Sequence, residues 1–229
     1  VIVEAGFYNS IQVQEFKNNN DAVFAYLSLG EVNTYSKIYE RLKMTFVGKN
    51  DNWDSFLLNL DLEKTKTVLS DTIDEFIKLG YNGIFFDNLD NFGIHGKQTA
   101  QKNSLIAFIK NMKSKYPNHL FIQNAGLEFI DLTYPLIDAV LIESVASCFD
   151  FENKTYHLRS EEDFDFRLNQ INTIRNQYKT PVLVVEYANS QTRYHSIAER
   201  LLPTAIPFFV GAIDLQTQPN FNLIPSYAF

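Results

Sequence analysis

Seven short apolar runs punctuate the chain: Val1 to Val3, Val23 to Leu27, Gly83 to Phe86, Leu120 to Ile122, Ala139 to Ile142, Pro181 to Val185 and Pro207 to Ile213. Each is rich in β-branched or aromatic residues and bounded by polar turn residues, so each predicts a strand. The runs are continuous rather than alternating, the pattern of strands buried on both faces in a parallel sheet.

Between most of the runs the apolar period becomes helical. Leu69, Ile73, Phe76 and Ile77 mark one face, with Gly80 placed as a C-terminal cap. Leu105, Phe108, Ile109 and Met112 mark a second, stopped by Pro117. A third opens at Ser160, whose hydroxyl is placed to cap the helix near Asp163, and carries Phe164, Leu168, Ile171 and Ile174. A weaker one runs through Ile197 and Leu201 to Pro203.

Strand and helix alternate with no Pro/Gly/Ser-rich break, which predicts a single α/β domain over residues 1–229. A TIM-like (β/α)8 barrel fits better than an open doubly wound sheet, for a reason that lies at the strand ends. Seven strands are visible; the missing one is expected before Val1, leaving the barrel truncated at its first strand, or in a segment read as loop.

Composition narrows the chemistry. With 45% apolar and 21% charged residues, the 229-residue chain is that of an ordinary folded domain. Its formal charge of −7 is spread without basic blocks, which argues against nucleic acid and admits a cleft for a cationic ligand. Cys148 is the single cysteine, so no internal disulfide is expected, and no apolar run reaches the roughly 20 residues of a membrane span.

In a (β/α) barrel the C-terminal strand ends surround one site. Here they carry Glu4, Ser28 with Glu31 soon after, Asp87-Asn88, Gln123-Asn124, Glu143-Ser144, Glu186-Tyr187 and Asp214. Any one of these could be a helix cap or turn residue. Five of the seven runs meet a carboxylate directly, however, and gathered like charges oppose folding, so the repetition points to function. His95, His119, His157 and His195 show no metal-ligand spacing, and GxSxG, GxGxxG and P-loop motifs are missing. Neither a metal nor a cofactor is expected.

Carboxylates and amides without such motifs suit glycoside hydrolysis, where one carboxyl protonates the leaving oxygen and another attacks the anomeric carbon or activates water. Asp87 and Glu143 end strands separated by one other, and are the candidate pair; Glu186 is the reserve. Tyr26, Trp53 and Tyr187 lie at or after strand ends, where a ring can stack on a sugar or simply pack on the rim.

The stretches AYLSLGE (25–31), NWDSFLLNLD (52–61), LGYNGIFFDNLDNF (79–92), QNAG (123–126), DAVLIES (138–144) and PVLVVEYA (181–188) resemble, in order, signatures of the endo-α-1,4-polygalactosaminidase family of glycoside hydrolases. Related hydrolase domains of exopolysaccharide-biosynthesis proteins share them. The resemblance implies a cofactor-independent barrel that cleaves α-1,4-linked galactosamine polymers, some partly N-acetylated. It implies Asp87 as nucleophile and Glu143 as general acid/base, in a retaining reaction. Glu31, Asp90 and Glu186 are then expected to attract a cationic chain, with Asn88 and Asn124 bonding hydroxyls or acetamides. Such a polymer implies an exported enzyme. Two other readings stay open: a carbohydrate-binding barrel without turnover, and an unrelated barrel whose carboxylates hold a metal.

Overall fold

The computed structural model describes residues 1–216, 220 and 221. All seven expected strands form, each parallel to its paired neighbours. The chain divides into two compact units, Val1–Asp138 and Ala139–Phe229.

The first unit contains, in order, β1 (Ile2–Val3), α1 (Ser10–Asn18), β2 (Phe24–Ser28), β3 (Glu31–Asn33), α2 (Tyr39–Leu42), β4 (Phe46–Asn50), β5 (Ser55–Leu58), α3 (Glu63–Leu79), β6 (Gly83–Asp87), α4 (Lys102–Lys115), β7 (Leu120–Asn124) and α5 (Ile130–Thr133). Strands β1, β2, β6 and β7 lie side by side in that order. The register runs from Phe24 opposite Gly83 to Ser28 opposite Asp87, and from Gly83 opposite Leu120 to Phe86 opposite Gln123. Because side chains alternate, Tyr26, Ser28, Phe85, Asp87, Ile122 and Asn124 share one face, and Ala25, Leu27, Ile84, Phe86 and Phe121 the other.

Both faces carry core residues, Phe85 and Ile122 on the first, and the second is the more deeply buried. Ala25, Ile84, Phe86 and Phe121 have no exposed surface, and the Phe86 and Phe121 rings meet at 5.1 Å. Each such phenylalanine contributes roughly 1.5–3 kcal/mol by leaving water. Helix α3 buries the expected Leu69, Ile73 and Phe76, and ends at Gly80 with φ 101°, a conformation that favours glycine. Gly83 is required for another reason: a Cβ there would stand 2.0 Å from the Leu120 carbonyl oxygen.

Two elements of this unit escape the hydrophobic pattern. Helix α1 buries only Val13, so its apolar stripe is too narrow to read. Strands β3, β5 and β4 form an antiparallel sheet in a region that reads as loop, since β4 exposes Val47, Gly48 and Lys49. Being antiparallel, they do not supply the missing barrel strand, and no eighth parallel strand forms among the described residues.

The second unit contains β8 (Ala139–Glu143), β9 (Ser147–Asp150), β10 (Thr155–Leu158), α6 (Glu161–Thr173), β11 (Val182–Tyr187), α7 (Gln191–Leu201) and β12 (Phe208–Gly211). Strand β11 lies between β8 and β12, and β9 and β10 make a hairpin. Ser160 caps α6 as its position foretells, accepting from the Asp163 N–H at 3.1 Å. The β9–β10 hairpin has no forerunner in the pattern, because the only residue of its two strands that is fully buried is Ser147.

Candidate active site

Asp87 is the last residue of β6, and both its oxygens are held. The Tyr26 hydroxyl donates to Oδ2 at 2.5 Å, and the Asn124 amide donates to Oδ1 at 2.7 Å. Register explains the arrangement: Ser28 stands opposite Asp87, so Tyr26 is the diagonal neighbour on the same face, within reach of a long phenol. Burial and the Asp87 charge together push the Tyr26 phenol well above its usual range, which keeps it a donor.

Asn88 follows with φ 61° and ψ 35°, and its side-chain oxygen accepts from the Ser28 hydroxyl at 2.6 Å. The Ser28 oxygen in turn accepts from the Glu31 N–H at 2.9 Å. The carboxylate of Glu31 is a buried hub, 6% exposed. It receives the Asn91 amide at 2.8 Å, the Asn50 amide at 3.0 Å and the Ser55 hydroxyl. Its role is therefore to tie the loop after β6 to the β4–β5 hairpin.

Asp90 keeps an exposed edge, but burial of its carboxyl raises its pKa, and the charges of Asp87 and Glu31 raise it further. Trp53 sits in the β4–β5 turn and is 50% exposed. Glu4 follows β1, and burial of its carboxyl raises its pKa too.

In the second unit Glu143 ends β8 and receives the Tyr187 hydroxyl on Oε2. The logic of register repeats: Val185 stands opposite Glu143, and Tyr187 is two residues farther along the same face. Tyr187 is 4% exposed. Glu186, one residue away, is on the opposite face and wholly buried. Its Oε1 accepts from the N–H groups of Val145 and Ala146 at 2.8 and 2.7 Å. Its Oε2 accepts from the Ser147 N–H at 2.8 Å and the Ser147 hydroxyl at 2.5 Å. Burial raises its pKa, against the pull of these donors. Glu186 is thus buried on its four donors, which lie in the loop that follows Glu143 and at the start of β9. Asp214, another strand-end carboxylate, is engaged in a local turn, accepting from the Gln216 N–H at 3.1 Å.

The residues next after Asp87, Asn124 and Glu143 all adopt left-handed backbone: Asn88 at φ 61°, Ala125 at 58° and Ser144 at 58°. For Ala125 and Ser144 this conformation costs about 1–2 kcal/mol each. Asp54, Lys154, Lys179, Ala205 and Leu215 share this backbone region elsewhere in the chain.

The family model of glycoside-hydrolase family GH114 matches residues 3–205. The chain belongs to glycoside-hydrolase family GH114. It is a glycoside hydrolase, of the family its motifs resemble. Among solved structures, the glycoside hydrolase domain of PelA from Pseudomonas aeruginosa superposes with a TM-score of 0.83 at 24% identity, over 95% of this chain and 88% of that one. Aspergillus fumigatus Ega3, in complex with galactosamine, gives 0.74 at 13% identity, over 93% and 84%. The α-galactosidase TtGalA from Thermus thermophilus gives 0.55 at 11%, over 87% of this chain and 45% of that one. No curated protein matches this GH114 chain. The fold is accordingly α/β and TIM-like, as the alternation of strand and helix foretells.

Within this GH114 chain, sequence reasoning missed Asn91, Asn50, Ser55 and Ser147, the partners that fix Glu31 and Glu186. Asn91 carried a signal, as the second amide of the repeated Asp-Asn pair. The other three stand at the ends of short strands that the hydrophobic pattern does not mark, Asn50 closing β4, Ser55 opening β5 and Ser147 opening β9.

Proposed function

We propose that this enzyme cleaves α-1,4-linked galactosamine polymers, partly N-acetylated, at internal bonds, the whole chain acting as one hydrolase domain. The observation that carries the reading is Asp87: a strand-end carboxylate with each oxygen fixed by a side-chain donor, in a family of glycoside hydrolases. The galactosamine bound to Ega3 supports the sugar.

In this reading Asp87 attacks the anomeric carbon while Glu143 gives its proton to the departing glycosidic oxygen, leaving a covalent glycosyl-enzyme. Glu143, now a carboxylate, takes a proton from water, whose oxygen displaces Asp87 and restores both groups. Deacetylated units are cationic. Asp90, with its exposed edge and acidic surroundings, is the carboxylate best suited to attract them, and Asn88, Asn124 and Trp53 are proposed sugar contacts. Ser28 holds Asn88 through its hydroxyl, and the Glu31 N–H in turn holds Ser28. A polymer does not cross membranes unaided, so the enzyme acts outside the cytoplasm; no helix among the described residues is long and apolar enough to span a bilayer.

The test is oligosaccharide release from partly deacetylated polygalactosamine, followed by mass spectrometry, for wild type, Asp87→Asn and Glu143→Gln. Wild type is expected to release oligomers of mixed length, and each variant to lose at least about 100-fold in rate. A first-formed α anomer supports retention, a β anomer inversion. Binding without release by the folded wild type would instead select a carbohydrate-binding barrel.

A further inference from the structure

We propose that Tyr26 and Tyr187 are a matched pair of positioning residues, each aiming one reaction carboxyl through its phenolic hydroxyl rather than stacking on a sugar. The inference rests on the reading of Asp87 and Glu143 as the reacting pair.

Both contacts arise from the same construction. Each carboxyl is the last residue of its strand, and each tyrosine lies on the neighbouring parallel strand, two residues from the position directly opposite. Tyr26 is two residues before that position and Tyr187 two after it, so the phenols approach from different directions along the strand. The hydroxyl of Tyr26 meets Asp87 Oδ2 at 2.5 Å, and that of Tyr187 meets Glu143 Oε2.

The rings themselves are engaged. Tyr26 packs against Phe85 with ring centroids 6.0 Å apart. Tyr187, at 4% exposure, has no face to offer a sugar. Its backbone is anchored as well: the Tyr187 N–H donates to the Ser147 hydroxyl oxygen at 3.0 Å, and that hydroxyl is committed to Glu186. A phenol so fixed presents its hydroxyl to the neighbouring carboxyl. It selects one rotamer of the carboxyl beside it, and a misplaced reacting group costs rate far more than affinity.

Tyrosine-to-phenylalanine exchange separates the roles, because it removes the hydroxyl and keeps the ring. In Tyr26→Phe and Tyr187→Phe, kcat on partly deacetylated polygalactosamine is expected to fall about 10- to 100-fold, with KM within about threefold of wild type. Thermal melting confirms that each variant is folded. A raised KM with kcat retained would assign a sugar contact to that tyrosine, and unchanged kinetics a packing role; either overturns the proposal. A substrate-free measurement makes it independent of the glycan. Carboxyl carbon NMR at fixed pH, with signals assigned by Asp87→Asn and Glu143→Gln, should show the Asp87 signal displaced in Tyr26→Phe alone and the Glu143 signal in Tyr187→Phe alone. Unmoved signals would sink the proposal even in an active enzyme. Displaced signals in an enzyme that cuts no galactosamine polymer would uphold the pairing and reject the substrate.

Discussion

Burial of the Asp90 carboxyl disfavours its charge, and the negative charges of Asp87 and Glu31 disfavour it further. Its folded pKa is raised above the ordinary 3.8, so the stability tied to its neutral form is complete below that value. That stability is lost as pH rises through the folded pKa. Asp90→Asn removes the charge and keeps a side-chain oxygen for the local backbone N–H groups. Its melting temperature should therefore gain on wild type as pH rises from about 4 to 6, read by thermal denaturation in a pH series. A constant difference would mean that Asp90 ionises without penalty. The sequence displayed Asp87 and Glu143 as strand-end acids, but it also displayed Glu186. Parity along PVLVVEY separates them, since Glu186 and Tyr187 must face opposite ways. What parity does not supply is the choice of core face, because every residue from Val182 to Val185 is apolar.

At the scale of elements, the close approach of β6 to β7 at Gly83 is the sharpest steric constraint on these strands. Gly83→Ala should destabilise by about 1–3 kcal/mol, seen as a lower denaturation midpoint, because the backbone oxygen of Leu120 must shift to admit a methyl group. The parallel strands and long helices were legible because each buries a contiguous apolar set. Leu69, Ile73 and Phe76 on α3, and Leu105, Phe108, Ile109 and Met112 on α4, all fall on the buried side. The antiparallel β3–β5–β4 sheet and the β9–β10 hairpin were not legible, since polar contacts such as those of Glu31 and the Ser147 hydroxyl do much of their anchoring. Hydrophobic periodicity carries no record of hydrogen bonds.

For the whole molecule, a net charge of −7 and a sequence pI near 5.1 set how a polycation is met. Activity on partly deacetylated polymer should weaken with salt through KM, by several-fold between about 0.05 and 0.5 M NaCl, whereas fully acetylated polymer should show little change. Equal salt dependence on both would locate recognition in uncharged contacts. The barrel class was legible because alternation of strand and helix persists through the chain, and the family because six ordered stretches coincide with strand ends and their loops. The chain's single tryptophan brings a separate opportunity. Trp53 stands half exposed on the β4–β5 turn, and an indole so placed is an intrinsic fluorophore. Any glycan that settles on that turn displaces water from the ring and alters its emission, so occupancy there can be followed by light, without a label and without turnover.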